Sequence, residues 1–443
     1  MELKNLTENQ LNKFILNKLY EHEHVILEKG IGINYYNGHH DIEKKQRTAI
    51  GEDGRINVIQ NLPNTQIKDN QYKRAVDQKV NYLFSAIPSV ESDDENLSVK
   101  LQEVFNKRFL RTINKIAVDT YNTGIGWIYV YVDNNELKYQ KLNPLEIIPI
   151  WKDDTHEKLE GVIRITTNLE WQAEEIVEVK QVYLFLDSKI HIYKFINGSL
   201  LKIEETSYIK KGEQFYNFGK IPFVYFKMPT EKSLIFEVKN LQDALNTILS
   251  NFVDNMLEDP RNTILIIKNY DGTDLGDFRQ KLAQYGAVKV IDGDGYKGGV
   301  ESLQIEVNHL NYEAIVKLLK KSIKENARIV DLDDEKNSPN MLNIKSMYAD
   351  MELDANQLEL EFTASFEYLL YFVKQVYNLS GEAVITLKRN IMVNEESKVD
   401  MLTKLVGVLS EETILSELPY VQNVDEEIAK LTKERNFGFD VDE

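Results

Sequence analysis

No cysteine occurs among the 443 residues, which excludes disulfides and thiolate–metal sites and makes the cytosol the expected folding compartment. No apolar run approaches the roughly 18–20 residues that span a bilayer. Met1-Glu-Leu-Lys-Asn-Leu-Thr-Glu8 carries no apolar leader either, so a soluble intracellular product with no membrane partner is expected. Positive charge is in short supply: 53 Lys and Arg face 71 Asp and Glu, a formal net charge of −18. That balance argues against a broad grip on nucleic acid through its phosphates, but it suits a wall past which a polyanion slides. The pattern Gly-x-x-x-x-Gly-Lys-Ser/Thr is missing, which excludes P-loop ATP hydrolysis, and so is the Gly-x-Ser-x-Gly elbow. No catalytic residue, cofactor or metal is therefore expected.

Three short motifs invite chemistry and are read as structure. His39-His40-Asp41 sits on a turn where adjacent side chains diverge, with no third metal ligand at a useful spacing. The stretches from Asp271 to Asp277 and from Asp292 to Gly295 do not fit a calcium loop ending in glutamate at position twelve. Gly30-Ile-Gly32 and Gly124-Ile-Gly126 precede no strand-to-helix phosphate turn.

What is present is a long chain with room for two or three cores and a change of period along it. Helices are expected over 8–29, 70–87 and 95–121 from their apolar spacing. From Trp127 to about Phe226 the period becomes two, with Asn-Asn and Asn-Gly turns that predict antiparallel hairpins. Leu234, Val238, Leu241, Leu245, Ile248, Phe252 and Met256 then form a ladder of about six helical turns, stopped by Asp259-Pro260. A β-type run at 263–268 opens a small α/β insert, and a second helix returns over about 311–330. A long helix at 346–379 is rich in Leu, Phe and Tyr, which leaves core and subunit interface both open. A β-run at Val384–Leu387 and two or three short helices follow. The fold class is α+β, elongated, with a helical stalk.

Several blocks, in order, resemble the portal proteins of tailed bacteriophages, of the type common in phages of Gram-positive hosts. They are Tyr35-Tyr-Asn-Gly-His-His-Asp-Ile42, Tyr72-Lys-Arg-Ala-Val-Asp-Gln-Lys-Val-Asn-Tyr-Leu83, Gly124-Ile-Gly-Trp-Ile-Tyr-Val130 and Pro144-Leu-Glu-Ile-Ile-Pro-Ile-Trp-Lys-Asp153. Ile264-Leu-Ile-Ile-Lys-Asn-Tyr-Asp-Gly-Thr-Asp-Leu-Gly276 and Arg389-Asn-Ile-Met-Val-Asn394 complete the set. The resemblance implies a homo-oligomeric ring, normally of twelve copies, at a capsid vertex, assembled in the host cytoplasm. Its parts would be a wing (1–230), stem helices (231–260 and 309–330), a clip (261–308), a tunnel loop (331–345), a helix returning to the wing (346–379) and a short crown (380–443). The implied partners are double-stranded DNA in the channel, the terminase large subunit, a head-completion or adaptor protein, the major capsid protein and a scaffold protein.

On those parts fall the candidate residues. Lys317, Lys321, Lys324 and Arg328 lie at i, i+4, i+7 and i+11 with Lys320 beside them. This basic face is either solvated, turned to the channel, or paired with Glu237, Asp243, Asp254 and Glu258 of a neighbouring subunit. The tunnel loop carries Asp331, Asp333, Asp334, Glu335, Lys336 and Asn337, whose acids would repel phosphate. The clip offers Asn269, Tyr270, Asp271, Asp274 and Asp277 for partner docking. Two other readings stay open: a different ring-forming virion or tail component, told apart by channel width and helix layout, and a metal-dependent nuclease, told apart by DNA cleavage with magnesium or manganese.

Overall fold

The computed structural model describes residues 3–50, 54–59, 62–172, 175–211, 214–258, 264–268, 299–303, 309–331, 341–389, 399, 402–418, 421 and 424–437. The fold is α+β, and the chain divides into two compact units: Met1–Ile33, Arg74–Ile235 and Ala327–Glu443 form the first, Asn34–Lys73 and Phe236–Asn326 the second.

In chain order the helices are α1 (Glu8–Tyr36), α2 (Gln71–Leu83), α3 (Glu95–Val104), α4 (Lys107–Thr123), α5 (Ile235–Glu258), α6 (His309–Asn326), α7 (Met341–Tyr377), α8 (Glu411–Glu417) and α9 (Val424–Phe437). The strands begin with β1 (Thr48–Ile50), β2 (Ile56–Val58), β3 (Ser89–Ser92), β4 (Ile125–Asp133) and β5 (Glu136–Leu142). Next come β6 (Ile147–Trp151), β7 (Leu159–Gln172), β8 (Glu175–Phe185), β9 (Ile190–Ile196) and β10 (Ser199–Thr206). The remainder are β11 (Ile209–Lys211), β12 (Gln214–Tyr216), β13 (Phe223–Lys227), β14 (Ile264–Lys268), β15 (Gly299–Leu303) and β16 (Ala383–Thr386).

The first unit is built on two antiparallel sheets, one of order β10-β9-β8-β7-β6 and one of order β13-β4-β5. The hairpin turns are those that the asparagines predict: Asn134 and Asn135 have φ of 51° and 63°, and Asn197-Gly198 has 49° and 78°. Leu11 and Ile15 of α1 pack on the five-stranded sheet at Ile163, Val182 and Tyr193. Trp127, Phe185 and Phe223 anchor a second core between sheet faces.

The aromatic residues of α7 belong to this core. Phe362 and Phe366 are fully buried. Phe362 lies 5.0 Å from both Phe84 and Phe226, centroid to centroid. Tyr368 donates to the Ile221 carbonyl at 2.9 Å and Tyr371 to that of Phe218 at 2.6 Å. Buried hydroxyls that find backbone acceptors are a core signature.

Four boundaries differ from expectation. The helix foreseen over 95–121 is two, because Asn106 leaves helical geometry and caps α4, accepting from the backbone N–H of Arg108 and Phe109 at 2.8 and 3.1 Å. Helix α1 runs on through Gly30 and Gly32 to Tyr36. A Cβ at Gly32 would stand 2.0 Å from the Asn122 carbonyl oxygen, so this glycine permits a close helix approach. Helix α7 already begins at Met341, taking 341–345 from the expected tunnel loop, because nothing after Pro339 breaks a helix. Helix α6 ends at Asn326, short of the expected 330.

Residues 269–298 and 332–340 lie outside the described residues, and with them Asn269, Tyr270, Asp271, Asp274, Asp277, Asp333, Asp334, Glu335, Lys336 and Asn337. At the C-terminal end β16 pairs with β3, and Ser410 caps α8 by accepting from Thr413 N–H at 3.2 Å.

Candidate functional site

Helix α5 buries Val238 and Leu245 of its apolar ladder, and beside them a polar seam that the ladder did not announce: Gln242, Asn246, Ser250 and Asp254 are each 0% exposed. Their spacing of four places them on one face. Against that face runs the extended segment 65–71, whose alternate backbone N–H groups donate into the seam. Thr65 N–H reaches Asp254 Oδ1 at 2.7 Å and Ile67 N–H reaches Ser250 Oγ at 2.9 Å. Asp69 N–H reaches Asn246 Oδ1 and Gln71 N–H reaches Gln242 Oε1, both at 3.0 Å. Gln242 Nε2 returns a bond to the Asp69 carbonyl at 2.7 Å. The match is geometric. Two residues of extended chain advance about 6.6 Å and four helical residues about 6.0 Å, so side chains at every fourth position meet every second amide.

Both ends of the seam are tied by charge or ring contacts. Lys45 Nζ lies 2.6 Å from Asp254 Oδ2, and Arg47 lies 3.8 Å away. Burial pushes the Asp254 carboxyl up, but the hydrogen bonds from Lys45 and Thr65 outweigh it and hold it below its ordinary value. Tyr35 Oη donates to Asp243 Oδ1 at 2.5 Å, and Lys239 bridges Asp243 at 2.8 Å to Asp41 at 2.5 Å.

His40, 2% exposed, stacks on Tyr35 at 4.5 Å. Its Nε2 must donate to the Tyr35 carbonyl at 3.0 Å, so its Nδ1 accepts from Asn246 Nδ2 at 2.7 Å. The imidazole is thereby assigned as neutral, and burial pushes its pKa below the ordinary 6.5. Tyr35, Asp243, Lys68 and Glu43 complete its electrostatic surroundings. A histidine with a lowered folded pKa gives stability that is whole above about 6.5 and is lost as pH falls below it. Thermal midpoints measured between pH 7.5 and 5.5 should therefore fall faster for the unaltered chain than for His40→Gln. Parallel profiles would contradict this assignment.

The divergence expected of His39 and His40 is borne out, since His39 is exposed beside Glu43 at 3.5 Å while His40 is enclosed. Among the described residues, no group of three His, Asp or Glu is placed to hold a metal ion.

The basic stripe is less uniform than its spacing suggests. Lys317 pairs with Glu313 at 2.5 Å and Lys321 approaches Glu325 at 3.9 Å, both on α6 itself. Lys320 reaches Asp69 at 2.7 Å and so ties α6 to the extended segment. Lys324 is buried at 4% exposure. Arg328 is not on the helix: it follows the last turn with φ of 52° and lies 3.8 Å from Asp354 in the first unit. Lys317, Lys321 and Lys324 therefore keep the spacing of one face on α6, with Lys324 buried, while Arg328 leaves it.

The acids proposed as its partners on α5 are mostly committed. Asp254 is enclosed and Asp243 is bound to Lys239 and Tyr35, which corrects their place in an intersubunit set. Glu237 is exposed, and the Glu258 side chain lies outside the described residues.

The approach to the expected tunnel loop is fixed in the first unit. Ala327 and Val330 are buried, and Gln78 donates to the Val330 carbonyl at 3.4 Å. Lys79, 2% exposed, pairs with Asp354 at 2.7 Å. Burial pushes Lys79 down from its ordinary pKa, and Asp354 partly offsets this. Asp331 is the last described residue before the loop.

Along the α+β chain, helices α5 and α6 flank a two-stranded antiparallel sheet of β14 with β15. The family described as "Phage portal protein, SPP1 Gp6-like" matches residues 18–436. The chain belongs to that family of phage portal proteins. Among its relatives, the portal protein of Clostridium phage phiCD119 is 30% identical over 413 residues, covering 89% of each chain. That of Bacillus phage SPP1 is 27% identical over 430 residues, covering 91% of this chain and 83% of the relative. The portal family makes this chain a component of the phage particle. Among the described residues no helix is long and apolar enough to cross a membrane.

Proposed function

We propose that copies of this chain close into a ring, normally of twelve, at one capsid vertex, through which double-stranded DNA enters during packaging and leaves on ejection. The carrying observation is the family match across residues 18–436, which takes in both units and both long helices. In this reading α5 and α6 are stem helices, 261–308 is the clip, 331–340 the tunnel loop and the region after 380 a short crown. The clip receives the terminase large subunit and later a head-completion or adaptor protein, and the wing meets the capsid and scaffold proteins. Assembly takes place in the host cytoplasm.

The role is mechanical and electrostatic rather than catalytic, with the work of translocation supplied by the terminase ATPase. A net charge of −18 on every copy keeps phosphates from sticking to the channel wall. Asp331 and the acids after it act in the same sense.

The test is the mass of the purified chain with images of the same fraction. A ring with a central hole and a mass near 620 kDa, twelve times 51.5 kDa, is expected, and no DNA cleavage with magnesium or manganese. A monomer that degrades DNA with metal would end this reading.

A further inference from the structure

Two surfaces of the first unit lack partners and complement each other. The first is the end of the β7–β8 hairpin, which outruns its sheet: β7 has 14 residues and β8 has 11, against 5 in β6 and 7 in β9. Trp171 stands opposite Ile176 and Leu169 opposite Glu178, so these four share one face. Trp171 is 73% exposed, Leu169 68% and Ile176 54%. Glu178, on that face, and Glu175, opposite Gln172 on the other face, are exposed and make no ion pair with any described residue. An indole so open, with unpaired carboxylates nearby, is an unusual thing to leave to solvent.

The second surface is the outer face of α4. Lys107, Arg111 and Lys115 recur every fourth residue, with Arg108 beside them. Lys107, Arg111 and Lys115 have no carboxylate within ion-pair reach among the described residues. The Arg108 guanidinium stands over the Tyr139 ring at 6.0 Å and makes no ion pair among the described residues. Beside it is a cavity of about 170 Å³ whose aromatic walls are Tyr139 and Tyr377 and whose rim carries the paired charges Lys100–Glu103 and Lys138–Glu136. The Tyr139 hydroxyl is buried there without a hydrogen-bond partner. Helix α4 packs on the three-stranded sheet, whereas the hairpin belongs to the five-stranded one.

The geometry points to a contact between copies: the Trp171 hairpin of one copy docks on the α4 face of the next. Trp171 enters the cavity beside Arg108, Glu178 on the same face meets Arg111 and Lys115, and Glu175 stands at the rim of the contact. Charge complementarity selects the occupant, since an acidic apolar finger fits a basic face with an aromatic recess. Indole over guanidinium is a favoured cation–π pair, and an aromatic anchor in a recess is the usual centre of an interface. The two surfaces differ, so the contact is head-to-tail, the kind that closes a ring rather than a two-fold dimer. This inference rests on the ring reading above and names the surfaces that build it.

The absence of cysteine makes the test direct, because every disulfide must come from engineered thiols. The chain carrying Trp171→Cys with Arg108→Cys should give, on mild oxidation of assembled rings, a covalent series extending past dimer. Charge reversal by Glu175→Lys with Glu178→Lys should lower ring yield at least tenfold. Adding Arg111→Glu and Lys115→Glu should restore it. Rings that form but do not cross-link, cross-linking that stops at dimer, or reversal without effect would each overturn the contact while leaving the ring reading intact. Failure of the unaltered chain to form rings would overturn the ring reading, and the contact with it.

Discussion

Asn246→Leu should destabilise the protein by about 4 kcal/mol, out of proportion to the loss of one amide. Asn246 Oδ1 accepts from Asp69 N–H and from Gln242 Nε2, each at 3.0 Å, and its Nδ2 donates to His40 at 2.7 Å. Leucine fills the space but orphans all three partners in a fully buried place, and each orphan costs about 1–3 kcal/mol. Ser250→Ala, which strands the Ile67 N–H, should cost roughly 1–2 kcal/mol by the same reasoning. Denaturant unfolding of both variants checks the pair. A cost for Asn246→Leu below about 1 kcal/mol would mean that segment 65–71 relaxes to water, and that the seam is not what holds it.

Asp354→Ala should be worse still when weighed against its chemical size, at about 3–5 kcal/mol. It leaves Lys79, 2% exposed, as a buried cation without its partner at 2.7 Å, and it releases Arg328 as well. The cost lies in the stranded charge rather than in the lost contact. Lys79→Met in the same chain should therefore recover most of it, since an unbranched apolar side chain suits the place beside Tyr121. The single variant should also regain stability as pH rises toward the lysine range. A buried lysine with a lowered pKa favours folding more over the range in which the folded chain has released its proton and the unfolded chain still holds it. If the double variant is no better than Asp354→Ala alone, the buried-charge account fails. The consequence reaches the segment proposed to precede the tunnel loop, because Arg328 pairs with Asp354 and Val330 is buried.

Much of the fold could be read beforehand because local rules governed it. Asn-Gly at 197–198 made its turn, Ser410 capped its helix, and the apolar period of two between Trp127 and Phe226 produced two antiparallel sheets. The breaks that were missed have small local causes: Asn106 offered a capping oxygen inside an apolar helical pattern, and the residues from Met341 onward contain nothing that opposes a helix. The family blocks carried the identity, which no single spacing could have done.

The seam on α5 was illegible for a different reason. Gln242, Asn246, Ser250 and Asp254 do recur every fourth residue, but a polar stripe on a helix ordinarily means solvent. Nothing in Thr65-Gln-Ile-Lys-Asp-Asn70 marks an extended segment that would use those side chains as a strand uses a neighbour. The basic stripe failed the opposite way. Its spacing was real, but tertiary contacts buried Lys324, and a left-handed residue took Arg328 off the helix.

That seam also decides how the second unit bears load. Its four rungs run antiparallel along α5, from Thr65 on Asp254 to Gln71 on Gln242. Tension along the helix axis shears all of them at once, as a lap joint is loaded, whereas a pull at right angles peels them one after another. A helix fastened in this manner is stiff along its own axis and yielding across it.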